Sequence, residues 1–328
     1  MTILIIRLSA LGDVAMTIPA IYCFADQHPD YKIKVLTSAR FCQLFVKKPY
    51  NVELMPVDIR ELRTFKGFIH LMVRLSAEKI DKVADLHNVL RSWLIDAAFI
   101  MTGRRVAMVD KRRRKRESIV CHKTLSAKPF TERYFDVFRR LGFTVEDNFV
   151  GLYSAQRSNH TQRVGVAPFA RYLNKTYPIE AMHEVVSRLA ASGIEIFVFG
   201  YGEHEAMVAE RWSGESPNIH SLVGKNDLSG DLELMTTLDV IVSMDSANMH
   251  LASLVNTPVV SIWGATTPAC GFLGWHQSPK NALCANVDCQ PCSISGGPSC
   301  PRGDFACMRN IKPEMIINKV VEVINQSR

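Results

Sequence analysis

Residues 238–267 constrain the fold of this 328-residue chain more than any other stretch. Residues 240–242 are a β-branched run suited to a buried strand, and 243–248 form a polar corner. Met249, Leu251, Ala252 and Leu254 then repeat with helical spacing. Pro258 closes that helix and opens a second buried strand at 259–263. Strand, helix and strand in so short a span predict a crossover between parallel strands, with helices covering the sheet. The corner places Asp245 and Ser246 at a helix start, where the first amides lack intrahelical partners and carry partial positive charge, a seat for an anion. The competing reading is that one of these two side chains caps the helix.

The same alternation runs along the whole chain. It predicts strands at 2–7, 33–36, 52–55, 83–86 and 105–109, and helices at 13–27, 39–45, 65–76, 90–101 and 130–141. The polar, aperiodic stretch 146–160 reads as a linker. A second cycle follows, with strands at 164–168, 194–199 and near 219–223, and helices at 179–192, 204–212 and 228–237. The chain then passes through the opening stretch to an amphipathic helix at 313–325. The expected fold class is α/β: two doubly wound parallel-sheet domains in tandem, with ligands bound beyond the strands' carboxyl ends in a cleft.

Composition narrows the class of protein. A content of 47% hydrophobic and 22% charged residues suits a soluble globular chain. The apolar run at 3–6 is cut short by Arg7 and Asp13, unlike a secretory signal, and no apolar stretch is long enough to cross a bilayer. Nine cysteines, mostly single, suit reduced thiols in a cytoplasm. The net charge is +7, of which the loop at 111–116 carries +6 and the remaining chain +1. Such a run is either a solvated face or a contact for phosphates of a headgroup, a membrane or a nucleic acid. No matching basic face or aromatic platform accompanies it, so no nucleic-acid partner is expected.

Four motifs carry candidate chemistry. Gly12-Asp13 follows the first strand without a Gly-x-Gly-x-x-Gly fingerprint, and Asp13 is either a helix cap or a general base. Arg171 and Lys175 share the loop 169–178 and are either a diphosphate clamp or two solvated cations. Glu203 and Glu205 follow a glycine turn, placed to meet ribose hydroxyls or simply to be solvated. Cys289-Gln-Pro-Cys292 precedes Cys300 and Cys307, a zinc-like first half with a wider second pair. Cys270 and Cys284 offer disulfide alternatives there, and free thiols are the default.

In order and spacing these motifs resemble the lipopolysaccharide heptosyltransferases, glycosyltransferase family 9. The resemblance is carried by Gly12-Asp13, Leu86 through Arg91-Ser92, Lys175-Thr-Tyr-Pro178, Phe199-Gly200, Asp245-Ser-Ala-Asn-Met-His250-Leu-Ala, Pro258 through Gly264 and the Cys-x-Pro-Cys segment. It implies a GT-B fold with two Rossmann-like domains. The acceptor would lie on 1–155 and the nucleotide-sugar on 156–328, whose last helix packs back on the first domain. It also implies inverting transfer of heptose from ADP-heptose to a lipid A–core lipopolysaccharide, without metal or other cofactor.

Asp13 matches the family's general base, and Lys175 the lysine that holds the donor diphosphate. Asp245, Ser246, Ala247, Asn248 and His250 match the donor corner, to which the loop readings add Arg171 and Glu205. Arg60, Arg63, Arg91, Arg112, Arg113 and Arg114 are expected on the acceptor side, with the basic run meeting the inner-membrane surface of a cytoplasmic, peripherally attached enzyme. Ala247 and Gly264-Ala265 depart from the family's usual Gly and Gly-Pro, although an alanine amide still donates. A transferase of another nucleotide-sugar in surface polysaccharide synthesis and a non-catalytic nucleotide-sugar binding protein are the alternatives.

Overall fold

A computed structural model of the chain describes residues 1–111, 113–122, 125–156 and 161–327, with the backbone alone for 113–116 and 327. By internal contacts the chain forms two units, Met1–Arg112 with Phe130–Val150, and Arg113–Pro129 with Gly151–Arg328. Residues 113–129 therefore group with the second unit although they interrupt the first.

The chain runs β1 (Thr2–Ile6), α1 (Leu11–Gln27), β2 (Lys32–Ser38), β3 (Val52–Val57), α2 (Phe65–Ser76), β4 (Lys82–Asp85), α3 (Leu90–Met101) and β5 (Arg105–Met108). Then come α4 (Arg113–Cys121) and α5 (Phe130–Arg140), of which only α5 returns to the first unit. The sheet order is β3-β2-β1-β4-β5, all parallel, with Ile6 level with Leu36 on one side and Asp85 on the other. Residues Ile3 to Ile6 are fully buried because helices cover both faces of the sheet. Leu4 and Ile6 meet Leu71 and Leu75 of α2 and Ile95 and Phe99 of α3 in one core. Elsewhere in the unit α5 lies along α1, and the rings of Phe24 and Phe138 stack at 4.4 Å.

The second unit runs β6 (Arg163–Ala167), α6 (Ile179–Ala191), β7 (Glu195–Val198), α7 (Glu203–Ser213), β8 (Ile219–Ser221), α8 (Leu228–Met235), β9 (Val240–Met244), α9 (Ala247–Leu254), β10 (Val259–Trp263), β11 (Ala282–Cys284), α10 (Ala306–Arg309) and α11 (Pro313–Ser327). Its parallel sheet has the order β11-β10-β9-β6-β7-β8. Counted within each unit, the strand orders are 3-2-1-4-5 and 3-2-1-4-5-6, the winding of dinucleotide-binding folds. Winding reverses between β1 and β4 in one unit and between β6 and β9 in the other, and a crevice opens at the carboxyl ends of those strands.

Several expectations are corrected. The basic loop is in part a helix, α4, because an unbroken Lys/Arg run contains good helix formers; Arg112 lies outside the described residues. The helix expected at 39–45 is a 3-10 turn, Ala39–Leu44. The strand β11 was not expected, since three half-buried residues offer no periodic signal. The C-terminal helix α11 packs Ile316, Val320, Val323 and Ile324 into the second unit's core, alongside α6, β9 and β10.

Because Phe138 joins α5 to α1, Phe138→Ala should remove about 3–5 kcal/mol of stability by empty-cavity and lost-transfer terms. Denaturant melts would show it; a loss under about 1 kcal/mol would contradict this packing.

Candidate functional site

In the second unit the site is built where β6 and β9 end. All five residues of β9 are buried, and α9 begins at Ser246 with no side chain capping its first amides. The cap reading of Asp245 and Ser246 is thereby set aside. Asp245 is instead only 4% exposed. Its Oδ2 meets Lys175 Nζ at 2.7 Å and accepts the Thr266 hydroxyl at 2.6 Å. Ser246, Ala247 and Asn248 stay half-exposed, so the positive end of α9 is open beside a lysine.

Lys175 is not a solvated loop cation. Its backbone is fixed by Asn174, whose carbonyl accepts from Ala265 N at 2.9 Å, whose amide donates to Ser299 O at 3.0 Å and whose Oδ1 accepts from Gly297 N at 2.8 Å. Gly264 admits this approach, since a Cβ there would stand 2.3 Å from Asn174 O. Gly296, at φ +85°, passes the lysine stem; a Cβ there would stand 2.4 Å from Lys175 Cδ. The cysteine segment thus buttresses the lysine loop. Cys292 and Ser293 amides both donate to Ala265 O, and Gln290 donates to Trp263 O and Gly264 O. None of the nine cysteines forms a disulfide, and among the described residues no three His, Cys, Asp or Glu are grouped to hold a metal.

The other residues expected on the donor side each have their own local surroundings. Arg171 is exposed, with its guanidinium 5.3 Å from the Tyr172 ring centroid. Glu205 is half-buried and accepts the Tyr201 amide at 2.6 Å, so it holds the glycine turn; burial raises its pKa. Glu203 is exposed, and His250 is buried in α9. On the first unit Arg60 and Arg63 are exposed and Arg91 is half-exposed. The side chains of Arg113 and Arg114 lie outside the described residues, with Arg112.

Asp13 occupies the first unit's crevice, where β1 ends. It is the third residue of α1 rather than its cap, and it reaches back to accept the Ala10 amide at 3.3 Å. Its stronger partner is Arg7, whose Nη2 lies 2.7 Å away and whose Nη1 donates to Leu86 O at 2.7 Å. The Arg7 side chain is 5% exposed against 34% for Asp13. Burial opposes the charge on Arg7, but Tyr134, Asp13 and Asp85 outweigh it and hold the guanidinium above its ordinary range. A buried guanidinium therefore pairs with a partly accessible carboxylate at the end of β1.

Sequence reasoning missed Arg7, Thr266, Asn174 and the residues behind Asp13. Asp85 ends β4 and accepts the amides of His87 and Asn88 at 2.7 and 2.8 Å. Burial, then the Arg7 and Lys111 charges, lower the His87 pKa to about 3, so its ring is neutral. Asp96 of α3 is fully buried; burial and the neighbouring Asp85 push its pKa to about 9. The available signals were a charged residue ending an apolar strand and an aspartate on a helix's inner face.

The model of glycosyltransferase family 9 (heptosyltransferase) matches residues 68–296. Lipopolysaccharide heptosyltransferase 1 of Pseudomonas aeruginosa is 24% identical over 313 residues, covering 89% of this chain and 86% of that protein. A solved glycosyl transferase family 9 protein of Veillonella parvula aligns with a TM-score of 0.77 at 16% identity, covering 99% of this chain and 97% of that one. The Escherichia coli heptosyltransferase WaaC, solved with ADP, aligns with a TM-score of 0.68 at 19% identity over the full length of both chains. The two Rossmann-like units are of the GT-B class.

Asp96 gives a signed pH test. Folded, it keeps its proton to about pH 9; unfolded, an aspartate loses it near about pH 4. Between those values the folded state binds more protons, so this group makes stability fall as pH rises, by about 1.4 kcal/mol per unit. Asp96→Asn should flatten that fall between about pH 5 and about pH 8 in denaturant melts. Parallel curves for the two proteins would contradict a protonated Asp96.

Proposed function

We propose that this chain, which belongs to glycosyltransferase family 9, the heptosyltransferase family, moves heptose from ADP-heptose to a lipid A–core lipopolysaccharide acceptor, inverting the anomeric carbon without a metal. The reading is carried by one observation: a half-buried lysine and the uncapped start of α9 share the crevice between β6 and β9. A nucleoside diphosphate needs that combination, a mobile cation plus fixed amides. The P. aeruginosa relative and the ADP-bound E. coli structure lend the donor and acceptor their names.

The chemistry then assigns each residue a task. Asp13 accepts the proton of the acceptor hydroxyl as that oxygen attacks the anomeric carbon and ADP departs. Lys175 Nζ and the amides of 246–248 take up the charge growing on the leaving diphosphate. Asp245 holds Lys175 in place until the donor arrives, and Thr266 keeps Asp245 oriented. Arg171 and Glu205 border the donor seat, and Arg60, Arg63 and Arg91 face acceptor phosphates. The enzyme would act in the cytoplasm, where the nucleotide-sugar is held.

Asp13→Asn keeps the shape and the contact to Ala10 but cannot accept a proton. A general base contributes roughly 10²–10⁴-fold, so kcat should fall by about two to four orders of magnitude. The variant also leaves Arg7 without its counter-charge, so some stability is lost with it. A purely structural Asp13 predicts a lower melting temperature with nearly full kcat in the folded protein, and that result would end the general-base assignment.

A further inference from the structure

Helix α3 buries Ile95 and Phe99 on its inner side yet is apolar on its outer side as well. Its buried positions include Ser92 and Asp96, while Leu90, Trp93, Leu94, Ile100 and Met101 are exposed. Ala97 is exposed between them, and the only charge on the helix apart from the buried Asp96 is Arg91. Beside it, on the same face of the first sheet, α2 exposes Phe65, Ile69 and Val73 at four-residue spacing. A lone exposed leucine needs no explanation, but apolar outer stripes on two helices that share one core do.

The charge around these stripes is predominantly positive. From residue 58 to 105 the chain carries nine Lys and Arg against four carboxylates that are not buried. Arg60, Arg63 and Lys66 stand at the start of α2, and Arg104 and Arg105 just beyond the end of α3. Trp93, with its indole N–H donating to Asn88 Oδ1 at 2.6 Å, is the residue type that settles at an interface between apolar and wet surroundings. A second copy would set this cationic rim against itself, which disfavours a symmetric dimer.

We propose that the outer faces of α2 and α3 dock on an anionic phospholipid bilayer, with the apolar stripes in the headgroup–acyl boundary and the cations on lipid phosphates. The inference goes beyond the transferase reading and does not depend on the donor's identity. It does agree with a lipid-anchored acceptor, because α3 starts at the end of β4, where Asp85 and Arg7 support Asp13. The surface differs from the basic run at 111–116 in supplying apolar insertion as well as charge.

Trp93 is 45% exposed whereas Trp212, Trp263 and Trp275 are buried, so it reports contact selectively. The full chain is mixed with vesicles of equal parts phosphatidylglycerol and phosphatidylcholine carrying brominated acyl chains. Trp93 emission should shift to the blue and be quenched, less so with phosphatidylcholine alone or at high salt. Leu94→Glu with Met101→Glu, both at exposed positions, should abolish quenching while leaving the thermal melt unchanged.

Sedimentation with vesicles without quenching would place the contact elsewhere, and no sedimentation would end the proposal. A wild-type dimer that this double variant converts to a monomer would assign the face to a second copy and overturn it too. Transfer to a delipidated, soluble acceptor separates the two readings. Its absence would sink the transferase reading alone, and the double variant should retain it.

Discussion

A parallel sheet that winds outward in both directions must reverse once, and the reversal leaves two strand ends with no helix crossing over them. In this chain that constraint operates twice. Arg7 and Asp13 follow the strand on one side of the first reversal, and Asp85 and His87 the strand on the other. Lys175 and Asp245 occupy the same two positions in the second unit. Charged residues are concentrated there because those are the places where a polar side chain can emerge from a buried strand without breaking the core.

The ion pair in the second unit shows how such a site stays poised. Two charges held 2.7 Å apart, with side chains 14% and 4% exposed, gain little net stability once desolvation is counted. Asn174, the cysteine segment and Gly296 hold Lys175 in place through side-chain-to-backbone bonds and close backbone approaches. A bound diphosphate would exchange one anionic partner of Lys175 for another and add the amides of α9, so little reorganisation is required. In the first unit Arg7 plays the complementary part, fixing a carboxylate instead of a cation.

Much of this was legible in the sequence. Strand, corner and helix at 238–267 stand where periodicity placed them, and Asp13 and Lys175 each follow the strand expected. What escaped was non-local. The preference of Asp245 for Lys175 and Thr266 over a cap depends on residues 70 and 21 positions away, which no local pattern reveals. The buried Asp85 and Asp96 look like ordinary surface carboxylates until the sheet puts them inside. The outer face of α3 was not legible, since a helix with apolar residues on nearly every side gives no stripe by which to tell inside from outside. Similarity to glycosyltransferase family 9 spans all of these residues except those before position 68, and it supplies the class of chemistry rather than the geometry.

The central claim is that the second unit's crevice receives the donor diphosphate, and a crystal structure of the full chain grown with ADP tests it most directly. The account predicts both phosphates within hydrogen-bond reach of Lys175 Nζ and the amides of residues 246–248, with the Lys175–Asp245 contact lengthened or broken. Diphosphate density anywhere else, with Lys175 still paired to Asp245, would contradict it.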